Sequence, residues 1–151
     1  MAFYFRFVLP NKQRIDMGMG DQVLKQVLSH LDEFVASEWE NLCRKAVPFL
    51  AIQGLEWDMA SRWWGPGLNA QEIEIDGIAQ TFDKKHILFA ETKWSLKPDP
   101  IGALAQLNRN IDNCKKFGNS EVIKVLFSRR EATVVEDAQH FTPKDVLHVL
   151  K

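Results

Sequence analysis

The sequence predicts an α/β fold, a mixed central sheet flanked by helices, and three stretches carry that expectation. Glu72–Gln80 and His86–Trp94 are strand-like runs, because they alternate with the period of two that a pleated strand imposes. Asp99-Pro100 opens a helix, an N-cap followed by proline at the first helical position, with Ile101, Leu104, Leu107 and Ile111 on one apolar face. Glu121–Phe127 is nearly continuous apolar and β-branched sequence, as expected of a strand buried on both faces. A helix crossing into that strand gives a right-handed parallel connection, whereas the first two runs are close enough in sequence to pair as an antiparallel hairpin.

Size and composition fit one soluble domain. The chain has 151 residues, 46% hydrophobic and 26% charged, enough to bury a substantial core. No apolar run approaches the ~20 residues that span a bilayer, and MAFYFRF lacks the basic-then-apolar order of a signal peptide. Cys43 and Cys114 have no metal-ligand spacing and do not suggest a disulfide scaffold, so a reducing cytoplasm is expected. A net charge of −1 supplies no general attraction to nucleic acid.

In chain order, the whole of 1–151 reads as one domain with a leader segment and first helix over 2–34, a core over 35–127 and an extension over 128–151. Ala2–Leu9 is aromatic and ends at Pro10, which suggests a short strand or buried leader, and so apolar an opening fits a segment cut from inside a longer protein. Asp21 can cap a helix carrying Val23, Leu24, Val27, Leu28 and Leu31. Ser37-Glu38-Trp39-Glu40 has the form of a capping box, opening a second helix whose stripe is Trp39, Leu42, Cys43 and Ala46 and which Pro48 ends. Glu56–Trp64 alternates loosely as a strand, with a turn at Gly65-Pro66-Gly67. After the hairpin and the helix from Asp99, Lys115 and Lys116 complement the helix dipole and Gly118 is placed as its C′ residue. Thr142-Pro143 starts a last helix in which Val146, Leu147 and Leu150 are available for packing.

The chemistry gathers on the hairpin. On one face of the second run lie Ile87, Phe89, Glu91 and Lys93; on the first run Glu72, Glu74, Asp76 and Ile78 share a face. Pairing of the runs lets the Asp76 carboxylate approach Glu91, within about 6 Å if one ion is to bridge them. An acid on one strand and acid-x-lysine on the next, in the order α, β, β, β, α, β, resembles the PD-(D/E)XK nuclease superfamily, whose core is restriction-endonuclease-like. The chain is also similar to a domain of unknown function found C-terminal to the ATPase module of archaeal-type AAA+ ATPases. The shared marks are the leader Phe3–Pro10, Trp39-Glu40, Arg62-Trp63-Trp64, Glu74-Ile75-Asp76 and Glu91-Thr92-Lys93-Trp94. Thr92 departs from the cysteine of many relatives, and the polar insert Gly65–Gln71 is longer.

The resemblance implies a metal-dependent phosphodiesterase. Asp76 and Glu91 would hold Mg²⁺ or Mn²⁺, hard ions that take oxygen ligands and keep several waters, with the Thr92 carbonyl as a further ligand. Lys93 would act on the attacking water or the phosphate, and Glu40 would be a helix-borne acid reaching the site. It also implies nucleic acid and an ATPase module, in this or a longer chain, as partners; the chain has no GxxxxGK[S/T] phosphate loop of its own. Each residue has a plainer reading. Asp76, Glu91 and Lys93 can be a cross-strand salt-bridge cluster, and Glu40 the capping-box acid of Ser37. Glu74 can flank Asp76 or be an exposed charge. Gln106 can reach the site or simply be polar surface, and Lys97 and Arg109 can meet phosphates or solvent. Trp57, Trp63, Trp64 and Trp94 can stack on bases or fill the core. His30, His86, His140 and His148 have no ligand spacing and receive no role. A rival of another class keeps the same fold as an inactive module that docks to an ATPase.

Overall fold

The computed structural model describes residues 1–68, 71–114, 120–132 and 135–151, in two compact units, Met1–Ser37 and Glu38–Lys151. In the first unit Tyr4–Val8 forms a π-helical turn, Leu9–Asn11 a 3₁₀ turn, and Lys12–Asp16 helix α1; helix α2 then runs Gly20–Ala46. The aromatic leader is therefore not a strand. Coiled into helical turns, it satisfies its backbone groups locally, which a lone strand cannot do. Its rings pack among themselves and with Phe34, with centroids 5.1 Å apart for Phe3–Phe7 and 5.4 Å for Phe7–Phe34.

The two helices expected on either side of Ser37 are one, because Ser37 lies inside α2. Between Asp32 and Glu38 there is neither glycine nor proline to stop a helix, and apolar positions continue at helical spacing. Ser37 is thus no N-cap, and the capping-box reading of Glu40 falls with it.

The second unit is built on a mixed five-stranded sheet of order β1-β2-β3-β4-β5, comprising Ser61–Pro66, Glu72–Gln80, His86–Lys93, Glu121–Ser128 and Gln139–Phe141. β1–β2 and β2–β3 are antiparallel; β3–β4 and β4–β5 are parallel. Helix α3, Pro100–Asn113, makes the crossover, and α4, Pro143–Val149, closes the chain. The expected helix, three strands, helix and strand are present, and the fold class stands.

Two apolar layers hold the sheet. Trp39, Cys43 and Ala46 of α2, with Val146 of α4, cover Leu88, Ala90, Ile123, Val125 and Phe127. Ala103, Leu104 and Leu107 of α3 cover Ile73, Ile75, Ile87, Phe89 and Leu126. Each fully buried Val, Leu, Ile or Phe among them contributes about 1.5–3 kcal/mol. The crossover β3-α3-β4 places Asp99 at the head of α3, where its Oδ1 accepts the Gly102 N–H at 2.9 Å. Ile101 is not on the buried stripe; it stands 73% exposed in the first turn while Ala103 turns inward. Lys115, Lys116 and Gly118, expected at the end of that helix, lie outside the described residues.

Other boundaries shift for local reasons. The strand expected over Glu56–Trp64 shortens to β1, with Trp57 making only an isolated bridge to Thr81. Gly65 and Pro66 belong to β1 instead of a turn; proline is tolerated there because β1 is an edge strand. β3 ends at Lys93, so Trp94 lies just beyond it. Three residues make up β5, too few to carry a periodic signal, and it is absent from the sequence expectation. α4 does begin with a capping box, Thr142 and Asp145 exchanging hydrogen bonds, but Leu147 is exposed.

Candidate functional site

The β2–β3 hairpin pairs as expected, in the register Gly77↔Ala90 to Gln80↔Ile87. Alternation along β2 is broken, however. Opposite β1 the register jumps from Ser61↔Ile78 to Trp63↔Ile75, so β2 carries an extra residue between Ile75 and Ile78. Ile75 and Ile78 consequently face the same α3-side layer, which strict alternation forbids, and Glu72, Glu74, Asp76 and Ile78 do not share a face.

Asp76 sits at this irregularity, where the β2–β3 ladder stops. Its Oδ2 accepts the Thr92 backbone N–H at 2.7 Å and the Thr92 hydroxyl at 2.8 Å, standing in for the strand carbonyl that the register withholds. Its own carbonyl accepts from Arg44 Nη1 at 2.7 Å. Gly77 gives the helix room, since a Cβ there would lie 3.2 Å from Ala90 Cβ and 3.7 Å from Arg44 Cγ. Glu91 alternates with Ile87 and Phe89, is 5% exposed, and its Oε1 lies 2.6 Å from Lys93 Nζ. Glu40 comes from α2 and pairs with Arg44 at 3.9 Å.

These groups feel one another. Burial raises the Glu40 carboxyl above its ordinary range and the charge of Asp76 adds to the rise, against the pull of Arg44 and Arg62. Burial likewise raises Glu91; its hydrogen bond to Lys93 opposes this, and the charges of Asp76 and Glu40 reinforce it. For Lys93, burial acts to lower the ammonium, but the Glu91 hydrogen bond and the charges of Glu91, Asp76 and Glu40 outweigh it and raise its pKa. The ion pair thus keeps Lys93 charged without offsetting the burial of Glu91. The structure therefore gathers Glu40, Asp76, Glu91 and Lys93 around the end of the β2–β3 ladder. Among the described residues, no three His, Cys, Asp or Glu side chains are grouped so as to hold a metal ion.

The other candidate residues have partners of their own or stand at the surface. Glu74 pairs with Arg62 at the surface. Gln106 is taken up along its own helix, donating to Asn110 Oδ1 at 3.0 Å and accepting from Arg109 at 2.7 Å. Trp57 is buried and bonds the Ile52 carbonyl, and Trp63 and Trp94 pack against the two apolar layers. Trp94 also carries the Arg129 guanidinium 4.8 Å from its ring centre. Trp64 is 73% exposed.

Sequence reasoning missed the roles of four residues. Arg44 is legible as an i+4 partner of Glu40, though not as the clamp on Asp76. The Thr92 side chain holds Asp76, a role that its backbone-ligand assignment overlooked. Ser128 Oγ lies 2.6 Å from His140 Nε2, and both line a small hollow together with Glu91, Lys93 and the head of α3. Register alone brings that pair there, since Ser128 neighbours Lys93 across β3–β4.

A profile for a family described as archaeal and bacterial proteins of unknown function, DUF234, matches residues 4–102. The chain belongs to the DUF234 family. The DUF234 match contains Glu40, Asp76, Glu91 and Lys93 together. The chain is also similar to an uncharacterised protein of Methanocaldococcus jannaschii, 27% identical over 103 residues, which covers 62% of this chain and 20% of that protein. The chain thus spans about a fifth of the length of that curated relative. No solved structure matches. No helix among the described residues is long and apolar enough to cross a membrane.

Proposed function

We propose that the Glu38–Lys151 unit is a PD-(D/E)XK nuclease-like domain that hydrolyses phosphodiester bonds in nucleic acid with Mg²⁺ or Mn²⁺. The observation that carries this reading is the convergence of one helix and two strands at the end of one ladder, where Arg44 reaches both Glu40 and the Asp76 carbonyl, Thr92 holds the Asp76 carboxylate, and Glu91 pairs with Lys93. The donor chemistry fits a hard divalent ion: oxygen ligands, partly buried, with Glu91 and Glu40 raised by burial first and by neighbouring acids after it. Asp76 and Glu91 would hold the ion, with the Thr92 carbonyl as a further ligand and water completing the set. Bound there, the ion would neutralise phosphate charge and make water a better nucleophile.

The chain's own residues do the rest. Thr92 and Arg44 fix Asp76 from its side chain and its carbonyl. Lys93, half-exposed and kept charged by Glu91, stands where it can donate to the attacking water or to a phosphate oxygen. Glu40 adds negative charge from α2 that strengthens cation binding at long range. Association with an ATPase module, in this chain or a longer one, is part of the same reading and rests on the resemblance.

One set of interactions favours the rival, an inactive docking module. Lys93 already pairs with Glu91, and Asp76 is already bonded to Thr92, as in a self-satisfied cluster. Thermal melts with and without Mn²⁺, run beside cleavage of labelled single- and double-stranded DNA, separate the two. The nuclease reading expects a metal-dependent rise in melting temperature, and cleavage that Lys93→Ala abolishes while sparing the rise. Metal stabilisation without cleavage moves the assignment to the docking module, and no metal effect at all leaves only a salt-bridge cluster.

A further inference from the structure

One edge of the sheet carries a feature that the hairpin chemistry does not use. Among the described strands β1 pairs with β2 on one side and is the outermost, so alternate backbone N–H and C=O groups of residues 61–65 point away from the sheet. Trp64 stands on this strand with 73% of its surface exposed, whereas Trp39 and Trp57 are 3% and 2% exposed. Beside it is a hollow of about 440 Å³ lined by Arg62, Trp64, Glu72, Ile73 and Glu74. Arg62 is already paired with Glu74, which leaves Glu72 to set the sign. Among the described residues that line the hollow, two carboxylates, Glu72 and Glu74, face one guanidinium, Arg62.

We infer that the β1 edge is a docking site for an extended basic peptide segment, which adds as a strand beside Ser61–Pro66 and lays a lysine or arginine on Trp64. Strand addition supplies sequence-independent hydrogen bonds, and alternate side chains supply selectivity. A cation over the Trp64 ring, with Glu72 alongside, is the interaction that the surface is built to make. Single-stranded nucleic acid would also stack on an exposed tryptophan, but its phosphates would meet Glu72 and Glu74, and platforms for it are lined by positive charge. The inference does not depend on the phosphodiesterase reading.

The test uses the full chain and three probes: a short peptide alternating lysine and valine, the same peptide N-methylated at alternate residues, and oligothymidylate. Amide chemical shifts should move along Ser61–Pro66 with the first peptide, and binding should weaken as salt rises. Trp64→Ala should weaken it about two- to fivefold, the worth of a cation–π interaction at an exposed site. Glu72→Lys should weaken it further, and N-methylation should remove it. Trp64→Phe, which keeps a ring, should retain most of the affinity and guards against misfolding of the alanine variant. Equal binding of the methylated peptide overturns strand addition. Affinity unchanged in both Trp64→Ala and Glu72→Lys overturns the site, and shifts at Trp64 caused by oligothymidylate in preference to the peptide assign it to nucleic acid.

Discussion

The two ends of the β2–β3 hairpin use the same local chemistry in different surroundings. At the turn, Asp83 Oδ1 accepts the Thr81 hydroxyl at 2.7 Å and the Lys85 N–H at 3.0 Å. At the other end, Asp76 Oδ2 accepts the Thr92 hydroxyl at 2.8 Å and the Thr92 N–H at 2.7 Å. At the turn the acid itself is exposed: those hydrogen bonds, the Thr81 hydroxyl foremost, hold the Asp83 carboxyl below its ordinary value, and Lys85 is its nearby counter-ion. The ladder end is crowded, and there burial and neighbouring acids push Glu40 and Glu91 upward. An aspartate bonded to a threonine is therefore no mark of a site. What differs is the surroundings: at the ladder end burial first, and acidic neighbours after it, raise the carboxyls, and a bound cation would oppose both.

The largest expected effect tests that distinction directly. If Asp76 is a ligand, Mn²⁺ at one hundred times its dissociation constant should stabilise the protein by about 2.7 kcal/mol. Asp76→Ala should erase that gain, while Asp83→Ala should leave it whole, both read by urea melts with and without the metal. A gain surviving in Asp76→Ala would place the ion elsewhere and undo the contrast between the two ends.

Thr92→Val comes next. It removes a hydroxyl bonded to a carboxylate inside the structure and should cost about 1.5–3 kcal/mol, with weaker Mn²⁺ stabilisation because Asp76 loses one of its two anchors. Thr81→Val, the same change at the turn, should cost a comparable amount, since Thr81 is as buried as Thr92 and its hydroxyl also accepts the His86 N–H at 3.1 Å, but Mn²⁺ stabilisation should not change. Equal losses of Mn²⁺ stabilisation in the two variants would undo the contrast between the two ends.

The smallest effect is the pH profile, in which the two ends have opposite signs. Glu40 and Glu91 have folded-state values raised above 4.5, so the folded protein holds their protons longer than the unfolded chain does. Stability from this end should therefore fall as pH rises from 4.5 through those raised values, and recover on acidification into that window. Asp83, lowered from 3.8, contributes stability above that pH and loses it as pH falls through its folded value. Melts across acid pH should show Glu91→Gln flattening the upper window only and Asp83→Asn the lower one only.

By itself, the sequence determined the strands Glu72–Gln80 and His86–Trp94, the latter one residue too long, the helix capped by Asp99, the strand at Glu121 and the α/β class. These follow from alternation, capping and β-branching, which act between near neighbours and are readable in one dimension. It also marked Asp76, Glu91, Lys93 and Glu40 as the residues to watch, through motif order. Only the tertiary structure decided how they meet. The extra residue between Ile75 and Ile78 takes Ile78 off the face that alternation assigns to it, and the β2–β3 ladder stops at Gly77, beside Asp76. The continuity of α2 across Ser37 frees Glu40 from a cap and turns Arg44 onto the Asp76 carbonyl. β5, three residues long, brings His140 to Ser128 beside Lys93. Each of these depends on register and packing between segments far apart in the chain, where a shift of one residue exchanges the two faces of a strand, and no local pattern records which register the packed layers select.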